Sequence, residues 1–139
     1  MPIKYFKFKR KIFLNGELQE KYLPKIQIET PIGFEQMAEM IEKKSTVSRG
    51  DIMGVLSELE VTSCWMLENG NPVTLGIFGT FYPSIEAMTV DSPEKVTSKL
   101  IKRFRVIFKP SAYFKKRFKD VEFVLGDNKV REVNYKKSK

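Results

Sequence analysis

Histidine is absent from the 139 residues, and cysteine occurs only once, as Cys64. Histidine is the commonest general base near neutral pH and a frequent metal ligand. The chain therefore lacks the residue that most often serves in acid–base catalysis and in zinc binding. One cysteine forms no intrachain disulfide, and the apolar neighbours of Cys64 predict a buried helical side chain rather than a reactive thiol. The sequence also holds no P-loop and no G-x-G-x-x-G phosphate cradle. We therefore expect no enzyme, no cofactor, no metal site and no small-molecule substrate.

Long apolar runs are absent as well. No stretch reaches the roughly 18 apolar residues of a membrane span, and the charged N-terminus lacks the apolar segment of a secretory signal. We expect no membrane contact and a location in the cytoplasm, where a single cysteine fits the reducing conditions. Hydrophobic residues nevertheless make up 42% of the chain, which predicts a folded protein with a moderate core.

Acidic residues are absent from residues 99–119, which hold nine lysines and arginines. Residues 26–98 show the opposite balance, because eleven acids outnumber four basic residues there. The whole chain carries a formal charge of +8, and such a separation of charge favours a polyanionic partner. A charge run alone more often forms a solvated surface, so further features have to decide between these two interpretations.

The N-terminal segment predicts a β-hairpin. Residues 3–13 alternate with a period of two, which is typical of a strand. Its two faces differ, with Phe6, Phe8, Arg10 and Ile12 on one and Lys7, Lys9 and Lys11 on the other. Asn15-Gly16 lies in the following loop as a turn signal, and residues 22–28 predict the second strand.

Two helices are predicted next. The first is indicated by four apolar residues at helical spacing: Phe34, Met37, Ala38 and Ile41. Ser48 has the character of an N-cap for the second helix, which continues to about Glu68. Residues 73–85 then predict two short strands, and residues 86–98 form a polar excursion.

A second alternating segment covers residues 99–109. It places three apolar residues opposite three cations: Phe104, Val106 and Phe108 opposite Arg103, Arg105 and Lys109. Pro110-Ser111 predicts the start of a short helix, residues 121–125 a last strand, and residues 126–128 a turn before a basic tail. We expect the aromatic rings of this half in the core: Phe78, Phe81, Phe104, Phe108, Phe114 and Phe118.

Two motifs resemble those of the bacterial HU/IHF histone-like proteins. Residues 73–81, with Phe78-Gly79-Thr80-Phe81 at their end, resemble the turn hydrophobic–G–F–G–T–F of that family. Residues 108–115 are similar to F-K-P-G-K-x-L-K, with Ser111 in place of the glycine and Ala112 in place of a lysine. The added N-terminal hairpin and C-terminal strand resemble the extended HU-related proteins of Bacteroidetes.

The resemblance implies an α+β, HU/IHF-like fold. Its parts are two N-terminal helices, a three-stranded antiparallel sheet with an extended arm, and a short C-terminal helix. The expected division is a hairpin extension over residues 1–31, an HU-like domain over 32–121 with its arm at about 84–102, and a strand with a basic tail over 122–139. The resemblance also implies a homodimer, with Trp65 as a candidate for its interface.

One departure concerns the arm, which in HU and IHF is rich in arginine and ends in a proline that wedges between base pairs. Here the first arm strand has no arginine, and Pro93 lies between Asp91 and Glu94. Acids are repelled by phosphates, so Pro93 is expected to be a turn residue. The sequence thus predicts a dimer that coats DNA more than it kinks it.

The expected function is sequence-tolerant binding of double-stranded DNA by a nucleoid-associated homodimer. Phosphate contacts would come from the basic segment and from the following helix. The candidate DNA-binding residues are Lys102, Arg103, Arg105, Lys109, Lys115, Lys116, Lys119 and, ranked lower because it is near the acidic tip, Lys99. Two alternatives remain, namely a protein-interaction or assembly module on an HU scaffold, and an RNA-binding protein.

Overall fold

The computed structural model describes residues 1–132, and the predicted basic tail at residues 133–139 lies outside the described residues. The described residues form two compact units, one of residues 1–31 and 120–132 and one of residues 32–119. The α+β class is confirmed, since six strands and three α-helices are present in the described part of the chain. The chain begins with the strands of the predicted N-terminal hairpin, whereas the HU/IHF arrangement itself begins with helices, so that arrangement does not describe the chain as a whole.

The first unit is a three-stranded sheet of order β2-β1-β6. Strands β1 (Ile3–Leu14) and β2 (Glu17–Ile26) pair antiparallel around the turn at Asn15 and Gly16, where both residues have positive φ. Such a two-residue turn matches the twist of a hairpin. The predicted hairpin is therefore confirmed, although its second strand begins at Glu17 rather than at Tyr22.

The third strand of this sheet, β6 (Phe123–Glu132), is twice as long as predicted and runs parallel to β1. The predicted turn at residues 126–128 is a bulge inside this strand, because the register with β1 shifts between Tyr5 and Lys7. The backbone N–H of Lys129 donates to Oδ1 of Asp127 at 2.9 Å. Turn chemistry is therefore present, but the strand resumes after it.

The second unit begins with α1 (Phe34–Glu42) and α2 (Arg49–Glu68). The predicted N-cap of α2 is confirmed, since Oγ of Ser48 accepts the N–H of Asp51 at 3.2 Å. A three-stranded antiparallel sheet of order β3-β4-β5 follows, made of Val73–Leu75, Gly79–Ala87 and Ile101–Pro110. Short 3₁₀ turns at Pro93–Lys95 and Ser98–Leu100 connect β4 to β5, and α3 (Ala112–Arg117) ends the unit.

The core of the described chain is small. Only four hydrophobic side chains of residues 1–132 are buried, namely Phe8, Ala38, Ile52 and Leu67. The prediction of a buried Cys64 is wrong, because its thiol is exposed. The buried and half-buried residues of α2 include Ile52, Met66 and Leu67, and Cys64 falls on another face of the helix. Because the residues around Cys64 in the sequence are mostly apolar, the sequence does not show which face of α2 is covered and which is exposed.

The prediction that six phenylalanines are in the core is also wrong for the single chain. Phe104 and Phe108 are exposed on β5, Phe78 is exposed just before β4, and Phe118 is exposed at the end of α3. Phe81 and Phe114 are half-buried. The physical reason is that β5 is an edge strand, so its side chains have neighbours on one flank only. Within residues 1–132, no helix combines the length and apolar content needed to cross a bilayer.

Candidate nucleic-acid interface

The pairing of β4 with β5 decides which cations share a surface. Arg103 lies opposite Glu86, Arg105 opposite Ser84, and Lys109 opposite Thr80. Phe104 lies opposite Ile85, so the rings alternate with the cations as the period of two predicts. One face of this two-stranded ribbon, which comprises β4 and β5, is therefore basic and the other is apolar.

The end of the ribbon next to the two 3₁₀ turns is less regular. Glu86 pairs with Arg103 while Ala87 pairs with Ile101, so Lys102 is an extra residue in a β-bulge. Lys99 lies in the second 3₁₀ turn, just before the start of β5. These two lysines and the two arginines Arg103 and Arg105 are called the arm cluster below.

A carboxylate occupies the middle of the arm cluster. Oε2 of Glu86 lies 2.6 Å from Nε of Arg103 and 4.0 Å from Nη1 of Arg105. Both arginines remain partly exposed, so this pair contributes little to stability. It does cancel part of their positive charge and holds the Arg103 guanidinium toward the neighbouring strand β4. The sequence places Glu86 in the arm but does not reveal this contact.

At the opposite end of the ribbon, where β5 leads into α3, the cations have a different environment. Nζ of Lys109 lies 5.0 Å from the ring centre of Tyr82, within the range of a cation–π contact. Lys115 and Lys116 lie in α3, and Lys119 comes just after its C-cap residue Phe118; all three lysines are exposed. With Arg117, a further exposed cation of α3, they form the base cluster: Lys109, Lys115, Lys116, Arg117 and Lys119. Among the described residues, no carboxylate forms an ion pair with any member of this cluster.

Arg117 is the one cation of residues 99–119 that the candidate set leaves out. It occupies the last turn of α3 together with Lys115 and Lys116. Cations at this end of a helix interact favourably with its dipole. The sequence alone could have identified Arg117 as a candidate, because all nine cations of this acid-free segment are visible in it.

Helix α3 is held at the end of β5 by polar and aromatic contacts. Oγ of Ser111 accepts the N–H of Phe114 at 3.0 Å, and the same hydroxyl donates to the carbonyl of Ile77. The backbone N–H of Ser111 donates to the carbonyl of Phe78 at 2.9 Å. Ser111, which replaces a glycine of the HU/IHF motif, is thus the N-cap and the link to the turn before β4.

The aromatic contacts continue from that turn into α3. The ring centres of Phe78 and Phe114 are 5.4 Å apart, and those of Phe114 and Phe118 are 5.0 Å apart, both in edge-to-face geometry. Gly79, at the start of β4, has a φ of +150°, and a Cβ there would lie 2.2 Å from the carbonyl oxygen of Lys109. Glycine is required for this close approach. The base cluster is therefore built on a tightly packed part of the ribbon.

The tip of the arm has a different chemistry. Pro93 begins the 3₁₀ turn Pro93–Lys95, which agrees with its interpretation as a turn residue. Asp91 and Glu94 flank it. An open apolar groove of about 580 Å³ lies beside this turn, lined by residues that include Met88, Val90 and Val96. Within residues 1–132, no group of three or more cysteines and carboxylates could hold a metal ion.

Comparison with known proteins places these features in a family. The fold is similar to that of a protein from Bacteroides vulgatus ATCC 8482, solved at 2.25 Å and provisionally described as a bacterial DNA-binding protein. The TM-score is 0.59 and the identity 14%, and the match covers 91% of this chain and 50% of that one. This chain thus spans half the length of that protein, and the likeness concerns the fold. The curated proteins contain no match. Residues 1–124 match the family described as "HU domain fused to wHTH, Ig, or Glycine-rich motif", and the chain belongs to this family.

Proposed function

We propose that this protein binds double-stranded DNA with little dependence on sequence, as a non-catalytic, nucleoid-associated homodimer of the cytoplasm. The observation that carries the proposal is the acid-free segment 99–119, whose cations lie on one ribbon and the helix that follows it. The proposed contact residues are Lys99, Lys102, Arg103, Arg105, Lys109, Lys115, Lys116 and Lys119, together with Arg117 because it shares the last turn of α3 with two of them.

The mechanism is the displacement of counterions from the DNA backbone. Lysine and arginine that neutralise phosphates release condensed cations, and this gives affinity without reading bases. The base cluster supplies most of that affinity because its charges are not compensated by acids among the described residues. The arm cluster supplies less, because Glu86 occupies Arg103 and Arg105.

A homodimer is supported by the apolar surface of the second unit. Val55 and Leu59 on α2 and Phe104, Val106 and Phe108 on β5 are all exposed in the single chain. Large exposed apolar patches are uncommon on monomeric proteins. Isologous pairing would cover these side chains and would double the basic surface. Light scattering should give twice the chain mass of 16.2 kDa.

The order within the second unit supports an HU/IHF-like arrangement for residues 32–119. Two helices precede a three-stranded antiparallel sheet with a long β4–β5 ribbon, and a short helix follows. The strands before this unit support the N-terminally extended type, as in Bacteroidetes. Catalysis has no place in the proposal, which rests on charge and shape alone.

A mobility-shift titration tests the proposal. Mixed-sequence duplex DNA should be bound at about 50 mM salt, and affinity should fall by orders of magnitude at about 200 mM. A competing duplex of unrelated sequence should displace the probe equally well. Absence of binding at the lower salt concentration would overturn the proposal, and better competition by RNA would reassign the ligand.

The arm favours a second candidate, a protein-interaction or assembly module. Glu86 compensates the arginines of the ribbon, and the tip combines two acids with an apolar groove. Both features suit contact with a protein better than contact with phosphates. Purification with one defined protein partner and without nucleic acid would support this candidate over DNA binding.

A further inference from the structure

The N-terminal sheet has two faces of different character, which the pairing of its strands defines. The Phe6 face holds the even-numbered residues of β1 with their partners, and the Tyr5 face holds the odd-numbered ones with theirs. Side chains of directly paired residues project to the same side of a sheet. On β1 alone, the Tyr5 face carries Lys7, Lys9 and Lys11. The paired residues of β2 and β6 change this balance of charge.

The Phe6 face gathers cations from all three strands. Lys4 and Arg10 of β1 are joined by Lys21 and Lys25 of β2, which lie opposite Arg10 and Phe6. Arg131 of β6 lies opposite Phe8. Among the described residues, Lys4, Arg10, Lys21 and Lys25 have no carboxylate within ion-pair distance, and only Arg131 is paired, with Asp127 at 3.0 Å.

Two phenylalanine rings position the cations of this face. Nζ of Lys25 lies 3.6 Å from the ring centre of Phe8, and Cζ of Arg131 lies 4.4 Å from that of Phe6. Phe8 is only 7% exposed. The long side chains cover the rings with their aliphatic parts and keep their charged ends at the surface. Contact with the rings also limits the rotamers that an anion would otherwise have to order.

The cations of the Phe6 face repel one another, and among the described residues only Arg131 of this set has a carboxylate partner. Arg10 lies directly opposite Lys21, and like charges at such positions destabilise a sheet. On the Tyr5 face, by contrast, Nζ of Lys9 lies 3.0 Å from Glu20 and 3.2 Å from Glu132. The hydrogen bonds that Lys9 donates to these two carboxylates raise the pKa of Lys9. A sheet that balances charge on one side and accumulates it on the other has a local conflict of the kind found at functional sites.

We propose that the Phe6 face is a second DNA-binding surface, separate from the ribbon, which takes the phosphate backbone of duplex DNA. The choice of duplex DNA as the polyanion rests on the proposed function, whereas the surface itself is defined by the N-terminal sheet alone. Each chain then holds two phosphate-binding surfaces on two structural units. The basic face carries no hydrogen-bonding pattern suited to one base sequence, so this binding is also sequence-tolerant.

The test uses matched pairs of substitutions on opposite faces of the same hairpin in the full-length chain. Arg10→Gln with Lys21→Gln removes two charges from the Phe6 face, and Lys7→Gln with Lys11→Gln removes two from the Tyr5 face. Affinity for a fluorescent mixed-sequence duplex is measured by anisotropy over a range of salt concentrations. Thermal melting is followed in parallel by circular dichroism.

We expect the Phe6-face pair to weaken binding by about tenfold near 100 mM salt and to make the log–log salt slope shallower by about two. Its melting temperature should stay equal or rise, because the repulsion between Arg10 and Lys21 is removed. The Tyr5-face pair should bind within about twofold of the unmodified protein. Loss of DNA affinity without loss of stability is a result that a purely structural role does not produce.

Other outcomes overturn the proposal in distinguishable ways. Equal effects of the two pairs, or no effect of the Phe6-face pair, would exclude the second surface and leave the ribbon as the DNA site. Should the Phe6-face pair unfold the sheet, Lys4→Gln with Lys21→Gln provides the same test with one partner of the repelling pair retained. Failure of the unmodified protein to bind duplex DNA would overturn both this inference and the proposed function.

Discussion

The arm cluster and the base cluster belong to the same chain segment and have the same sign, but the surroundings of their charges differ. Residues 84–105 contain three acids and five basic residues, whereas residues 106–119 contain five basic residues and no acid. In the arm, Glu86 engages both arginines. At the base, the cations project from a ribbon end and a helix that Ser111 and three phenylalanines fix together. A count of cations therefore overestimates the arm as a phosphate-binding element.

The largest effect is expected from the base cluster. Replacement of three exposed lysines by Lys115→Gln, Lys116→Gln and Lys119→Gln should weaken duplex-DNA binding by about a hundredfold near 100 mM salt, because about three phosphate contacts are lost. Anisotropy titrations measure the change. Lys43→Gln, Lys44→Gln and Lys95→Gln form a control with the same loss of charge outside both clusters. A similar loss in the control would show that net charge, rather than this surface, governs binding.

A smaller effect is expected from the arm arginines. Arg103→Gln with Arg105→Gln should weaken binding by less than about tenfold, and by similar factors on unrelated duplexes, because backbone contacts carry no sequence information. The same titrations on two sequences check both parts. A loss greater than that of the base variant would reverse the ranking of the two clusters.

Removal of the arm carboxylate should act in the opposite direction. Glu86→Gln frees Arg103 and Arg105 and removes a charge that phosphates repel, so duplex binding should strengthen by about twofold to fivefold. In this background, the Arg103→Gln substitution should cost more affinity than it costs in the unmodified protein. Additive effects of the two substitutions would show that the contact between Glu86 and Arg103 has no influence on binding.

The smallest effect is expected from an ion pair outside the ribbon, between Asp127 and Arg131 of β6. The N–H of Lys129 and then the guanidinium of Arg131 hold the pKa of Asp127 below its ordinary value. The stabilisation by the Asp127 carboxylate is therefore fully present above the pKa that Asp127 has in the unfolded protein. It is lost as pH falls through the lower pKa that Asp127 has in the folded protein. Asp127→Asn should lower the melting temperature slightly at pH 7. It should have no effect at an acidic pH at which Asp127 is protonated in both the folded and the unfolded protein. An equal difference at both pH values would assign the effect to the bulge rather than to the charge.

Local patterns in the sequence were sufficient for most elements of the fold. The alternation of residues 3–13, the Asn15-Gly16 turn and the Ser48 cap each depend on neighbours within a few positions, and each is present. The parallel pairing of β6 with β1 joins distant residues, and the turn-like residues 126–128 hide the continuation of β6. Periodicity could not reveal such a pairing, because it describes one segment at a time.

The candidate interface was predictable in its charges but not in their surroundings. The nine cations of residues 99–119 and the alternation along β5 were visible in the sequence. The contact of Glu86 with Arg103 depends on the register between two strands, and so do the positions of Lys21, Lys25 and Arg131 around Phe6 and Phe8. The exposure of Cys64 depends on which face of α2 is covered, and its apolar sequence neighbours gave no indication of this.

Lysine footprinting tests most directly the claim that the basic ribbon and α3 contact DNA. The protein is acetylated briefly with and without saturating mixed-sequence duplex, and modification at each lysine is measured by mass spectrometry. We predict strong protection of Lys109, Lys115, Lys116 and Lys119, with little protection of Lys95 beside the acidic arm tip and of Lys43 and Lys44 at the end of α1. Equal modification of the base-cluster lysines with and without bound DNA would contradict the account.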